Sequence, residues 1–249
     1  MPCSKCVCAA LLCLFSVPAR GQPHADAAII GENIAVGVPL APCAVPAVVT
    51  RIARAMRVPL GLEPVPELCV AAKPAREQVE ELALTGLSVR AALDRLVELD
   101  PRYQWLEADG VLVMRPLAAW NDRDHFLHRT LPSFRVRNQN VGGALDALMT
   151  ALGPYRFGGG QQMASRTAEG DQHFSISLGA TSILEAFNAV ARTHGALWWT
   201  VRYCQLQARY EFATLYLNTF DGSSLGSHAI FLRHDDGKTH DPCAGGARP

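Results

Sequence analysis

Lysine is nearly missing from this 249-residue chain: Lys5, Lys73 and Lys238 are the only three among twenty-three basic residues. Net charge is missing as well, because Lys and Arg together equal Asp and Glu, and the formal charge is zero. The arginines are scattered rather than clustered, which leaves no basic stripe to follow a phosphate backbone and excludes a nucleic-acid footprint. Long apolar runs are also lacking. The most sustained one, Val7 to Val17, is too short to span a bilayer. No nucleophile elbow, zinc-protease helix or phosphate loop is present. Gly158-Gly159-Gly160 is followed by Gln161 and Gln162 instead of a Lys-Ser/Thr pair and a helix pattern, so it reads as a loose loop.

What is present begins with an export-type leader. Lys5 gives a positive start, the apolar run follows, and Ala19 and Gly21 place small residues where a signal peptidase reads. Cys13 lacks the small preceding residue of a lipoprotein box. The expectation is a signal peptide over residues 1–21 and a soluble periplasmic or secreted chain, cleaved near Gly21, with no transmembrane segment. Cys3, Cys6, Cys8 and Cys13 leave with the leader, while Cys43, Cys69, Cys204 and Cys243 remain. Four cysteines in an exported chain suit two disulfides, with three pairings possible. Locality favours Cys43 with Cys69 and Cys204 with Cys243.

The mature chain is organised around Gly86 to Pro116. Val89, Ala92, Leu93 and Leu96 follow the i, i+3, i+4, i+7 spacing of a helix with one apolar stripe, and Asp100-Pro101 stops it. Two β-type runs follow, Tyr103 to Glu107 and Val111 to Arg115, joined through Asp109-Gly110, which tolerates the positive φ angles of a hairpin. A shift of 94 positions places Val89 on Ile183, Leu93 on Phe187, Asp94 on Asn188, Leu96 on Val190 and Trp105 on Trp199. In the second copy the tight turn gives way to a longer stretch around Cys204 to Glu211. A shift of 96 relates a second, upstream pair: Val45, Val49, Ile52 and Met56 fall on Val141, Leu145, Leu148 and Leu152, a helix stripe in each. Two related pairs in the same order predict a tandem duplication.

The run Gly-Leu-Ser-Val-Arg-Ala-Ala-Leu-Asp-Arg-Leu, then an aromatic strand, the Asp-Gly turn and Val-Leu-Val-Met-Arg-Pro, resembles the secretin and TonB short N-terminal domain. The likeness covers residues 33–116, and a more divergent copy covers 131–220. It implies an α+β fold of two tandem small βαβ-βαββ modules, each with two helices packed on small sheets. It also implies a non-enzymatic role by protein contact at the cell envelope, with a secretin, a TonB-dependent receptor or another envelope protein as partner. Residues 117–130 would be a linker and 221–249 a flexible tail with a short strand at Ala229 to Leu232. Two other readings are a metal-assisted hydrolase using the His-rich linker or tail, and a structural subunit of an oligomeric ring.

Several chemically capable residues read as plain structural features. His125 and His128, near Asp122 and Asp124, lack the further ligands of a zinc signature and read as a linker turn. Glu80 and Glu81 read as a charged turn, Arg51, Arg54 and Arg57 as a solvated helix face, and His194 as a basic side chain favoured at a helix C-terminus. His234, His240, Asp241 and Cys243 do not define a preorganised metal site. No catalytic residue, metal ligand or cofactor site is expected. Trp198 and Trp199 must point to opposite faces of a strand; Trp199 is the core residue, and Trp198 is the candidate partner contact unless the chain's own hairpin covers it.

Overall fold

Ser88 sets the start of the organising helix. In the computed structural model, which describes residues 34–35, 44–65, 81–82, 84, 86–152, 156–158, 172–206, 210–220 and 224–233, Ser88 Oγ accepts the Ala91 N–H (3.2 Å) and opens α2 (Val89–Leu99). The cap satisfies one of the donors that a first helical turn leaves over. Val89, Ala92, Leu93 and Leu96 are the buried side of α2, as their spacing requires. β4 (Tyr103–Ala108) and β5 (Val111–Pro116) follow, and Asp109 and Gly110 turn between them at φ +54° and +74°. Upstream lie β1 (Ile34–Ala35), α1 (Ala44–Met56), β2 (Leu60–Leu62) and β3 (Glu81–Leu82). The order βαββαββ is the one expected.

The same order returns downstream. α3 (Leu117–Asn121), a 3-10 turn at Phe126–His128 and β6 (Thr130–Leu131) occupy the linker. Then come β7 (Phe134–Gln139), α4 (Val141–Leu152), β8 (Arg156–Gly158), β9 (Phe174–Leu178), β10 (Thr181–Ser182), α5 (Ile183–His194), β11 (Leu197–Leu206) and β12 (Tyr210–Thr219). Apart from β6 and β10, which pair with each other, this is βαββαββ again. Asn140 Oδ1 accepts the Gly143 N–H (3.1 Å) at the start of α4. Ser182 and Glu185 form a reciprocal capping box on α5, which ends at Gly195 with φ +76°. One side-chain bond also recurs. Trp105 Nε1 donates to Asp94 Oδ1 (2.9 Å), and Trp199 Nε1, ninety-four positions later, donates to Asn188 Oδ1 (3.0 Å).

The two units share a mixed seven-stranded sheet in the order β4-β5-β2-β11-β12-β13-β8, where β13 is Ser224–Arg233. β5, β2 and β11 are parallel to one another, and β4 is antiparallel to β5. The equivalent strands β4 and β11 therefore run in opposite directions, so the second unit is turned over relative to the first. Its helices fall on the other face. Leu60, Leu62, Leu112 and Met114 join the α1 and α2 residues in one apolar cluster, whereas Val111, Val113, Trp199, Val201 and Leu215 join those of α4 and α5 in another. Three two-stranded sheets, β1-β3, β6-β10 and β7-β9, complete the α+β fold.

Both faces of β11 are thus covered. Trp199 is fully buried on the α5 side, and Trp198, expected as a candidate partner contact, is 6% exposed in the first unit's cluster with Phe220. Apolar residues of the flipped first unit surround it. Two further expectations change. β11 runs on to Leu206 and β12 begins at Tyr210, so most of the supposed long turn around Cys204 to Glu211 is strand. The short strand expected at Ala229 to Leu232 is longer: residues 224–233, otherwise assigned to a flexible tail, form a sheet strand paired with β12 on one side and β8 on the other.

The junction of the units is narrow. β2 and β11 pair only through Gly61 with Trp199 and Leu62 with Thr200. The Trp199 indole lies across Gly61: a Cβ there would sit 2.1 Å from Cζ2 of a fully buried ring. Gly61→Ala is expected to destabilise the protein by about 1–3 kcal/mol or more through overpacking, although alanine ordinarily suits a strand better than glycine. Urea unfolding of the variant beside the wild type checks this; an unchanged midpoint would show that the indole has room to move.

Candidate functional site: a buried arginine, glutamate and histidine cluster

Where β5, β2 and β11 lie side by side, three polar residues share the face that α5 covers. Arg115 continues the alternation of Val111 and Val113, Glu63 directly follows β2, and Tyr203 follows Trp199 and Val201 on β11. The Glu63 N–H donates to the Met114 carbonyl (3.0 Å), which extends the ladder by a residue and brings Glu63 beside Arg115. The linker closes over them. His125 caps the 3-10 turn by accepting the Leu127 N–H on Nδ1 (3.2 Å), and the Trp120 ring lies 4.6 Å from the Arg115 guanidinium carbon.

Arg115 is 0% exposed and Glu63 1%, so their charges stand in a medium where each requires a partner. Arg115 Nε donates to Glu63 Oε2 (2.7 Å). Its Nη1 donates to His128 Nε2 (2.9 Å), and Nη2 donates to His125 Nδ1 (2.8 Å) and to the Ala119 carbonyl (3.3 Å). Because a guanidinium only donates, the histidine nitrogens that meet it carry no proton. His125 must then bear its proton on Nε2, which donates to Glu63 Oε1 (2.8 Å), and His128 on Nδ1, which donates to the Asp122 carbonyl (2.7 Å). Tyr203 meets His125 edge to face, with centroids 4.3 Å apart, and stacks beside Phe126.

The arrangement ties the linker to strands of both units and holds one positive and one negative charge in balance. Protonating His128 on its bare Nε2 would set N–H against N–H and strip Arg115 of an acceptor. Burial holds His128 below the ordinary imidazole value; the Asp122 carbonyl raises it, and the Arg115 charge lowers it further. His125 and His128, read from sequence as a linker turn, are therefore polar ties, and their nitrogens are occupied within the protein. Among the described residues no group of three His, Cys, Asp or Glu side chains could hold a metal.

Sequence reasoning passed over Glu63, Arg115 and Tyr203. The available signal was an arginine placed in phase with two valines on a strand buried on both sides. Other singled-out residues lie elsewhere. His194 is buried at the end of α5, edge-on to Phe174. Arg51 and Arg54 are on the exposed side of α1, and Arg57 lies over the Phe220 ring. Cys43, Cys69, Cys243 and Glu80 are outside the described residues, as are His234 and His240; of Cys204 and Glu81 only the backbone is described, so the disulfide pairing expected from locality stands as an expectation.

No family model, curated protein or solved structure matches this chain. Among the described residues no helix is long and apolar enough to cross a membrane.

Glu63→Gln leaves the Arg115 charge buried without its counter-ion and is expected to cost about 3–5 kcal/mol in urea unfolding; a loss below about 1 kcal/mol would mean that the histidines suffice. The pH dependence follows from the direction of the His128 shift. A histidine held below its unfolded value of 6.5 binds its proton more weakly in the folded state, so its contribution is complete above that value and declines as the pH falls through it toward the folded one. The slope is at most about 1.4 kcal/mol per pH unit for one histidine. His128→Gln should flatten this part of the stability profile between neutral and mildly acid pH, whereas an unaltered profile would assign the acid sensitivity to other groups.

Proposed function

We propose that this chain is an exported, non-enzymatic adaptor of the cell envelope, built from two units like the secretin and TonB short N-terminal domain. It would dock on a secretin, a TonB-dependent receptor or another envelope protein after its leader is removed near Gly21. The observation that carries the reading is the repeated βαββαββ order, with the tryptophan-to-Asp or Asn bond at matching positions in both copies. The buried cluster supports it too, since its groups are spent on one another and on holding the linker against β5 and, through the Tyr203 ring, β11. A rigid body presents a constant surface and loses less entropy on binding than two jointed units would. For the metal-assisted hydrolase, the linker histidines are poorly suited, because Arg115, Glu63 and the Asp122 carbonyl already occupy their nitrogens.

One observation favours a second reading, that of a subunit in an oligomeric ring. The parallel pairing of β2 with β11 joins one unit to the next, and the strands corresponding to these two lie at opposite ends of the sheet. The adaptor reading is tested by tagging the chain in its native host, fractionating the cells and identifying what co-purifies beside a denatured control. The expected result is a processed chain in the periplasmic or secreted fraction, carrying a secretin, a receptor or another envelope protein in a stable ratio. An unprocessed cytoplasmic chain, or a clean preparation with nothing bound, would overturn it.

A further inference from the structure

The junction inside the molecule describes a contact that its two ends are shaped to repeat. Within each unit the strands follow one plan. β2 lies beside β5 and parallel to it; in the second unit β13 is inserted, yet two antiparallel pairings still leave β8 parallel to β12. β8 therefore stands in the second unit as β2 does in the first, and β4 stands as β11 does. Inside the chain, the β2 edge of one unit pairs with the β11 edge of the next. At the ends of the seven-stranded sheet, β4 and β8 each have a neighbour on one side only among the described residues. Tracing directions across the sheet, β4 is antiparallel to β11 and β11 antiparallel to β12, so β8 runs parallel to β4. A β8 brought beside the β4 of another copy would meet it in the same sense as β2 meets β11.

The β4 edge is formed for such a neighbour. The Arg102 carbonyl accepts the Leu117 N–H (2.7 Å) in register with the β4–β5 ladder, so by alternation the even-numbered residues of β4 turn their backbone groups toward β5. Trp105 and Glu107 turn theirs to the open side. Trp105 corresponds to Trp199, whose backbone meets β2, and it is held alike by its bond to Asp94, with Arg90 over the ring at 4.9 Å. The large apolar side chains left exposed among the described residues are Leu106 on β4, Leu99 at the end of α2 and Leu117, whose N–H meets the Arg102 carbonyl just before β4. The internal junction further requires a glycine under the tryptophan, at Gly61. β8 ends in one, Gly158.

We propose that the β4 edge binds the β8 strand of a second copy of this chain in parallel, with Gly158 of that copy beneath Trp105, so that molecules join head to tail into one continuous sheet. The contact is heterologous: each copy keeps a free β4 or β8 edge, and assembly proceeds to a ring if the rotation closes and to an open chain if it does not. The inference rests on the oligomeric reading above and adds its surface and polarity.

Two variants of the full processed chain separate the edges. Glu107→Pro removes an N–H that faces away from β5, a position where an edge strand tolerates proline, and so blocks the β4 edge; Leu106→Lys serves the same end if the proline variant does not fold. Gly158→Leu places a side chain where the indole must lie and blocks the β8 edge. Circular dichroism first establishes that each variant is folded, and light scattering after size exclusion then gives mass against concentration. The wild type is expected to grow in mass with concentration, and each variant to associate about tenfold or more weakly. An equimolar mixture of a β4-blocked and a β8-blocked variant should give dimers and stop there, because each supplies the edge that the other lacks. A wild type that stays monomeric at millimolar concentration overturns this proposal and the oligomeric reading together. Wild-type assembly that persists in both variants keeps the oligomer but overturns the β4–β8 contact, as does a β8-blocked variant that dimerises alone.

Discussion

The structure depends on one crossing: the indole of Trp199 lying over the backbone of Gly61. Two residues of β2 meet two of β11, and this narrow parallel contact turns two small sheets into one. Everything on the face beneath α5 follows from it. Val111 and Val113 belong to the first unit in sequence, yet they are buried in the cluster of α4 and α5. Trp198 belongs to the second unit and is buried with α1 and α2. Each unit thus completes the core of the other. The Asn188 amide marks the exchange in a single side chain: its Oδ1 receives Trp199 of its own unit, and its Nδ2 donates to the Ala108 carbonyl of the other (3.3 Å).

Placing charge beside that crossing has a cost that apolar residues would avoid, since buried ion pairs are often no better than well-packed hydrophobic ones. What the Glu63, Arg115 and His125 cluster provides is direction. An apolar contact between linker and sheet could slide, whereas a guanidinium that must satisfy a carboxylate and two imidazoles at once admits few arrangements. Through it the 3-10 turn at Phe126–His128 is held against strands of both units.

Local features were legible in the sequence because their causes are local. The stripe of α2 and the Asp109-Gly110 turn each depend on residues a few positions apart. The match of Asp94 with Asn188 and Trp105 with Trp199 was legible as well, and it appears as the same hydrogen bond in each copy. What could not be read was strand pairing at a distance. Gly61 looks like a break in a short apolar run until Trp199 is placed over it, and nothing near Gly61 announces that partner. Glu63 and Arg115 are equally remote, and each is unexceptional in its own segment. Trp198 is a similar case: alternation sends it to the face opposite Trp199, but only the inverted packing of the units supplies what covers that face. Of the strand at Ser224–Arg233 only Ala229 to Leu232 was legible; its more polar start is held by sheet neighbours and not announced by its own pattern.

The interlocked cores also bear on how the chain can be made. A polypeptide synthesised from its amino terminus completes β5 well before α5 exists, so the side of the first sheet that carries Val111, Val113 and Arg115 waits in solvent for a cover encoded far downstream. Burial of that face depends on late arrivals, although Glu63 and the linker histidines that meet Arg115 are made early. The first half is therefore an intermediate with an exposed apolar surface, the kind of species that aggregates when it persists, and the natural unit of folding is the whole described body and not either repeat.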